Sequence, residues 1–140
     1  MSKPFARLRS LFARPKKTEK RKFGDKGEKL VCKYLRNEGY DLLARNYAGG
    51  GGELDIVAEK GGVLAIVEVK TRSYYPGSKY GRPADAVNER KRRCIFAATK
   101  AYRATHKETT ALTPRFDIAE VLVYEDGRSE INYIEGAFHP

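Results

Sequence analysis

The sequence predicts a single α/β domain with a mixed β-sheet, in the element order αβββαββ. A length of 140 residues suits one ordinary domain. Two segments show apolar residues at helical spacing, and five short segments alternate in polarity or are continuously apolar between glycine-rich turns. Together these patterns favour helices lying against one sheet.

The first helix is predicted to begin near Gly24, with Asp25 as its N-cap, and to stop at Gly39. Glu28 lies at the edge of its apolar face. That face carries Gly27, Leu30, Val31, Tyr34 and Leu35, with Glu38 at its end.

Three strands are predicted next, over residues 41–47, 53–59 and 63–70. The glycines at 49–52 suit a hairpin connection, and residues 60–62 form a tight turn. The third strand is apolar on both faces almost to its end, which is typical of a central strand. The second strand alternates, with Glu53, Asp55 and Val57 on one face and Leu54, Ile56 and Ala58 on the other.

The second half of the chain is predicted to hold one helix and two strands. Residues 71–83 form a loop, and a long helix runs from about residue 83 or 85 to 105. Closing strands over residues 115–124 and 130–134 flank a turn at residues 125–128. The inner face of the helix carries Val87, Cys94, Ala98, Ala101 and Tyr102.

The net charge of +10 is concentrated at the N-terminus. Residues 1–22 hold nine Lys or Arg and one Glu, whereas residues 23–140 hold 19 basic and 17 acidic residues. We therefore divide the chain into a basic, flexible arm (1–22) and a folded domain (23–140). A basic arm attracts any polyanion, so it is compatible with nucleic acid and with an anionic membrane surface.

The form of the arm stays open. Phe5, Leu8, Leu11 and Phe12 recur at near-helical spacing among arginines, which fits a short basic amphipathic helix. A disordered solubilising arm fits the composition equally well. No apolar signal-peptide core or run of about 18 apolar residues occurs in the sequence, and we expect a cytoplasmic protein.

Asp55, Glu68 and Lys70 are the residues that point to chemistry. A tight turn joins their strands, so Asp55 and Glu68 can share a face, and Glu68 and Lys70 project to the same side. Mg²⁺ or Mn²⁺ needs only one or two carboxylates, and a lysine beside it can activate water. The set predicts a divalent-metal site for phosphodiester hydrolysis. A cross-strand salt bridge between Lys70 and one of the acids is the structural alternative.

These residues carry a resemblance to a known family. Gly27-Glu28, the segment from Gly52 to Ala58, Val67-Glu68-Val69-Lys70-Thr71-Arg72, Lys91 and Phe116-Asp117-Ile118 resemble the YraN-type family of uncharacterised bacterial proteins. Asp55 followed by Glu68-Val69-Lys70, after Glu28 on a first helix, is similar to the PD-(D/E)XK nuclease superfamily and to archaeal Holliday-junction resolvases. Leu54 stands where the superfamily's pattern has proline.

The resemblance covers about residues 23–138 and implies a restriction-endonuclease-like fold. It also implies Asp55 and Glu68 as metal ligands, Lys70 as the water-activating residue and Glu28 as an additional acid. If the protein acts as junction resolvases do, two active sites are needed, and a homodimer is expected.

Weaker candidates surround this set. Glu53 shares a face with Asp55 and is either a supporting acid or a solvated strand residue. Arg72 and Lys91 are candidates for phosphate contacts, although a basic run on a helix is usually a solvated face. We expect Asp117 to cap or pair structurally and not to bind metal.

Three functions are compatible with the sequence. The leading hypothesis is a Mg²⁺- or Mn²⁺-dependent endonuclease acting on DNA, including branched or flapped forms. The second is a non-catalytic nucleic-acid-binding module of the same fold. The third is a membrane-surface or scaffold protein acting through residues 1–22.

Overall fold

A computed structural model describes residues 15–140, as a five-stranded mixed sheet with one helix on each face. This confirms the predicted α/β class and the order αβββαββ. The architecture is consistent with a restriction-endonuclease-like fold. The elements are α1 (Pro15–Asn37), β1 (Asp41–Gly49), β2 (Gly52–Lys60), β3 (Val63–Tyr74), α2 (Glu89–Thr105), β4 (Thr113–Tyr124) and β5 (Ser129–Phe138), with 3-10 turns at Pro83–Ala86 and Lys107–Ala111.

The first three strands form an antiparallel meander, as the glycine turns predict. Gly61 and Gly62 both have positive φ, 55° and 80°, which is the requirement of a two-residue type I′ hairpin turn. Gly50 and Gly51 take the same conformation between β1 and β2. The register of β2 against β3 follows from the second turn and runs from Lys60–Val63 to Ile56–Val67.

The β3 strand is central, as predicted, but it does not end at residue 70. It pairs in parallel with β4 along its whole length, from Val63–Thr113 to Tyr74–Tyr124. The loop predicted from residue 71 is therefore wrong for its first four residues, because β4 supplies backbone partners that a local pattern does not show. The closing strands are also longer than predicted, and the turn at residues 125–128 is confirmed.

Helix α1 includes Pro15–Asn37, so the predicted start at Gly24 and the N-cap at Asp25 are wrong. Lys and Arg have good helix propensity, and a single glycine such as Gly24 costs too little to end the helix. The helix also crosses the predicted boundary between residues 22 and 23. It ends where expected, before Gly39 with φ of 88°. The amphipathic pattern from Phe5 to Phe12 lies outside the described residues.

Helix α2 begins at Glu89, later than predicted. Asn88 is its N-cap, with a side-chain oxygen that accepts a hydrogen bond from the backbone N–H of Lys91 at 2.8 Å. The preceding residues form a separate 3-10 turn at Pro83–Ala86. The buried residues of α2 are Ile95, Ala98, Thr99 and Tyr102.

Two apolar cores lie on opposite faces of the sheet. The core under α1 includes Val31, Leu35, Ile56, Ala58, Val67 and Val121, and the core under α2 includes Leu54, Val57, Ile66, Ile95, Tyr102 and Phe116. Leu54 and Ile56 thus contact different cores, so the strict alternation predicted for β2 is wrong around Asp55. No helix in the part of the chain that the structure describes is long and apolar enough to cross a membrane.

Candidate active site

Asp55 lies at the point where β2 leaves β3. The last backbone pair between the two strands is Ile56–Val67, and Asp55 is the next residue of β2 beyond that pair. The Asp55 carboxylate accepts a hydrogen bond from the backbone N–H of Val69 at 2.9 Å. A side chain thus satisfies a donor that has lost its strand partner, and this contact fixes the carboxylate beside β3. Extending the register by one residue places Asp55 opposite Glu68.

Glu68 is a buried carboxyl group, with only 6% of its side chain exposed. Burial raises its pKa to about 8, and the neighbouring charge of Asp55 and a hydrogen bond with it act in the same direction. Lys91 opposes this shift, because its Nζ lies 3.5 Å from a Glu68 carboxylate oxygen. Asp55 and Glu68 therefore form a close pair of carboxyl groups, as the sequence predicts.

The two carboxyl groups line a cleft of about 380 Å³ between β2, β3 and α2, which we call the carboxylate cleft. Its floor is tightly built: a Cβ on Gly52 would lie 2.3 Å from the carbonyl oxygen of Cys94 in α2. Gly50 and Gly52 thus serve close approach to α2 as well as the turn. The lining residues are Gly51, Gly52, Glu53, Asp55, Glu68, Asn88, Arg90, Lys91, Cys94 and Ile95.

Glu28 approaches Asp55 from the α1 side of the sheet. Burial raises the pKa of Glu28, and the charge of Asp55 raises it further, while Arg45 lowers it. An Arg45 nitrogen lies 3.5 Å from the Glu28 carboxylate. Glu28 is therefore within electrostatic range of Asp55, although it does not line the carboxylate cleft.

Gly27 explains how α1 brings Glu28 so close to the sheet. A Cβ at this position would lie 1.9 Å from the Thr71 hydroxyl oxygen on β3, so only glycine allows this approach. Sequence reasoning placed Gly27 on the inner face and did not identify its contact, because the contact joins residues 44 positions apart.

Lys70 follows Glu68 by two residues and projects to the same side of β3, as predicted. Its side chain is exposed and lines a neighbouring groove, not the carboxylate cleft. Glu53 is exposed and does line the carboxylate cleft. The structural alternative, a cross-strand salt bridge between Lys70 and Asp55 or Glu68, does not occur among the described residues.

Lys91 and Arg72, the two residues predicted to contact phosphate, lie in different surroundings. Lys91 is at the carboxylate cleft, paired with Glu68, and 53% of its side chain is exposed. Arg72 is buried outside this cleft, with Nη1 3.1 Å from the Glu120 carboxylate. Asp117 pairs structurally, as expected: it accepts hydrogen bonds from Arg115, Tyr133 and the backbone N–H of Gly136.

Within residues 15–140, no cluster of three or more His, Cys, Asp or Glu side chains has the proximity of a metal cage. Two carboxylates with room for water suit Mg²⁺ or Mn²⁺, which retain several waters when bound. Two negative charges as close as Asp55 and Glu68 repel each other. This repulsion contributes to the raised pKa of Glu68, and a bound cation would relieve it. Asn88, Arg90 and Cys94 at the cleft were not identified as site residues from the sequence. The asparagine N-cap signal before Glu89 could have placed Asn88 at the start of α2.

The chain matches known proteins over most of its length. The model of "Uncharacterised protein family UPF0102" matches residues 27–121. A UPF0102 protein of Phocaeicola vulgatus is 43% identical over 122 residues, covering 87% of this chain and 96% of that protein. Another, of Symbiobacterium thermophilum, is 39% identical over 119 residues, covering 85% and 98% respectively. A third, of Syntrophomonas wolfei, is 42% identical over 120 residues, covering 84% and 98%.

Proposed function

We propose that this chain, which belongs to the uncharacterised protein family UPF0102, is a divalent-metal-dependent endonuclease that hydrolyses DNA phosphodiester bonds. The observation that carries the proposal is the pair of carboxyl groups, Asp55 and Glu68, held together where β2 leaves β3. A buried pair of this kind requires a proton or a cation to offset its charge.

Lys91 offers only weak compensation for Glu68. Its side chain is half exposed, so solvent screens part of its attraction for Glu68. The ammonium group can therefore give way to a cation of higher charge without a large loss of stability. Asp55 and Glu68 would hold Mg²⁺ or Mn²⁺, which would supply charge neutralisation at the phosphoryl group and a more acidic water.

Lys70 is suited to act on that water. It lies on the same side of β3 as Glu68, two residues further along, and forms no ion pair with another described residue. A free ammonium group can orient an attacking water, take part in its deprotonation, or offset charge that develops in the transition state. Glu28 adds negative charge behind Asp55 and strengthens the attraction of the site for a cation.

The test compares cleavage of linear, single-stranded, flapped and four-way DNA in Mg²⁺ and in Mn²⁺. Asp55→Asn, Glu68→Gln and Lys70→Met are each expected to reduce cleavage about 100-fold or more. Glu59→Gln on the same β2 strand and Lys33→Met on the exposed side of α1 are matched controls and should cleave as the wild type does.

Mn²⁺ binding, followed by water-proton relaxation, separates the site from the activity. Wild type and Lys70→Met should bind Mn²⁺, whereas Asp55→Asn and Glu68→Gln should bind it far more weakly. If wild type cleaves no DNA but binds it, the protein is a non-catalytic nucleic-acid-binding module. Equal cleavage by wild type and all three variants would refute the assignment of these residues.

A further inference from the structure

A second groove lies beside the carboxylate cleft, further along β3. It has a volume of about 510 Å³, and we call it the tyrosine groove. Its lining includes Lys70, Arg72, Lys79 and Tyr80. Neither Lys70 nor Lys79 forms an ion pair with another residue in the range 15–140, so the groove presents uncompensated positive charge.

One exposed aromatic ring, Tyr80, lines this groove, and two more exposed tyrosines lie at 74 and 75, in the segment between its lining residues 70–73 and 79–81. Among the described residues, the large apolar side chains that are exposed are Leu43, Tyr74, Tyr75 and Tyr80, and all but Leu43 lie within seven positions of the chain. Tyr75 is 51% exposed and Tyr80 is 44% exposed. Exposed tyrosines interleaved with lysines are the side chains that bind unpaired bases by stacking and their phosphates by charge.

Tyr80 is held in place and is not a loose surface ring. Its hydroxyl donates a hydrogen bond to the backbone carbonyl of Ser73. The guanidinium carbon of Arg72 lies over the ring, 4.7 Å from its centroid. A ring fixed in this way loses little conformational freedom when a ligand binds, so it can serve as a stacking surface.

Arg72 is a buried cation with a donor that lacks a partner. Its side chain is only 8% exposed, and Nη1 lies 3.1 Å from the Glu120 carboxylate. The buried Nε donates no hydrogen bond to another described residue. Buried donors without acceptors are costly, and an incoming anionic or polar group would relieve that cost. This donor is a second observation, beside the exposed ring of Tyr80, that indicates a ligand in the same groove.

The groove continues directly from the proposed active site. Glu68 lines the carboxylate cleft and Lys70 lines the tyrosine groove, and Glu68, Lys70 and Arg72 project to one side of β3. Arg72 is four residue steps along the strand from Glu68, about 13 Å at about 3.3 Å per residue. A strand cut at the carboxylate cleft would therefore place its neighbouring nucleotides in the tyrosine groove.

We propose that the tyrosine groove binds unpaired nucleotides next to the scissile phosphate, so that the substrate is single-stranded DNA or DNA with an unpaired segment. The inference rests on the proposed nuclease function. Bases stack on Tyr80 in the groove and on the exposed ring of Tyr75 in the segment before it, while Lys79 and Arg72 contact the backbone phosphates. A blunt duplex cannot make these contacts, because its bases are already stacked and paired.

The test measures binding in EDTA, where cleavage does not interfere. Fluorescence anisotropy compares a labelled single strand with a blunt duplex of equal length, and quenching of 2-aminopurine in the single strand reports stacking. Wild type is expected to bind the single strand at least about tenfold more tightly than the duplex. Tyr75→Ala and Tyr80→Ala should each weaken that binding about 5-fold to 100-fold, the range for loss of one stacked base.

Control variants separate stacking from folding. Tyr80→Phe keeps the ring and loses the hydrogen bond to Ser73, and it should bind within about threefold of wild type with the same quenching. Leu43→Ala, at an exposed apolar side chain on β1, should not change binding. Tyr75 is half exposed, so Tyr75→Ala tests stacking even if Tyr80→Ala fails to fold.

Equal affinity for single strand and duplex, or wild-type binding by both Tyr75→Ala and Tyr80→Ala, would overturn the inference. Either result together with Mg²⁺-dependent cleavage would leave the nuclease function in place. Single-strand binding with the predicted losses, but without cleavage in Mg²⁺ or Mn²⁺, would support the groove and refute the nuclease function.

Discussion

The carboxyl group of Glu68 lies between a like charge on Asp55 and an opposite charge on Lys91. Its pKa is raised from 4.5 to about 8, first by burial and then by Asp55. Between these two pH values the folded chain binds more protons than the unfolded chain. The contribution of Glu68 to stability is therefore fully present below about pH 4.5 and is lost as the pH rises to about 8.

Replacement of Glu68 by Gln should remove this dependence in the absence of divalent ions. Relative to wild type, Glu68→Gln is expected to have a similar free energy of unfolding at pH 4.5 and a higher one at pH 8.5. The gain should be roughly 1–3 kcal/mol, less than a full conversion of the pKa shift because the folded site can relax. Guanidinium unfolding in EDTA, followed by circular dichroism, measures the difference.

Glu59→Gln provides the comparison for this experiment, because Glu59 is on the same strand and lies away from the carboxylate cleft. The difference in free energy of unfolding between Glu59→Gln and wild type should not grow with pH. If the Glu68→Gln curve instead runs parallel to the wild-type curve from pH 4.5 to 8.5, Glu68 does not titrate in this range.

At the scale of elements, the close approach of α1 to β3 at Thr71 depends on a single glycine. Gly27 lies against the Thr71 hydroxyl, whereas Gly24, one turn earlier on the same helix, has no atom within 4 Å of the position of a Cβ. The same substitution at these two positions should therefore have opposite effects on stability.

Gly27→Ala is expected to lower the free energy of unfolding by about 2 kcal/mol, because the added methyl group must displace β3 or α1. Gly24→Ala should raise it by up to about 1 kcal/mol through helix propensity. Thr71→Ala in the Gly27→Ala background should restore part of the loss, since it removes the clashing hydroxyl. Thermal and guanidinium unfolding of these three variants and the wild type test this. Equal destabilisation at both glycines would contradict the role of the Thr71 contact.

Local signals in the sequence identified the elements better than their ends. The glycine pair 61–62 fixed the β2–β3 turn, and the run from Val63 is a central strand as its apolar character predicts. The end of β3 at Tyr74 depends on pairing with β4, which is distant in sequence. The first helix was placed too late because Gly24 was interpreted as a boundary.

The sequence predicts only the part of the candidate site that lies close together in the chain. Asp55 and Glu68 are joined by one tight turn, and the register set by that turn is enough to place them side by side, although the alternation of β2 breaks around Asp55. Lys91 reaches Glu68 only because α2 lies across the sheet, and Arg72 is buried by Glu120 and Tyr80 from other segments. Contacts of this kind require the tertiary arrangement.

At the scale of the whole molecule, the charge is divided unequally. Residues 1–14 contribute four of the 28 basic residues and no acidic residue, and they precede the first described residue of α1. If the protein binds DNA, these residues can add phosphate contacts without contributing to the carboxylate cleft.

Deletion of residues 1–14 should weaken DNA binding and reduce its dependence on salt. The slope of log affinity against log salt is expected to fall by up to about 4, close to one unit for each cation that contacts a phosphate. Mn²⁺ binding should not change. Anisotropy titrations between 50 and 200 mM salt provide the measurement. Unchanged DNA binding, with loss of binding to anionic vesicles, would indicate instead that these residues act at a membrane surface.

The type I′ turn at Gly61 and Gly62 also has a kinetic consequence. It brings Asp55 and Glu68 together with only twelve residues between them, whereas Lys91 must arrive with α2 and the parallel β3–β4 pair, a contact between distant parts of the chain. Contacts close in sequence form early in folding, and distant ones form late. We therefore expect the two carboxylates to meet before Lys91 is in place, and docking of α2 to add its partial compensation of the charge on Glu68.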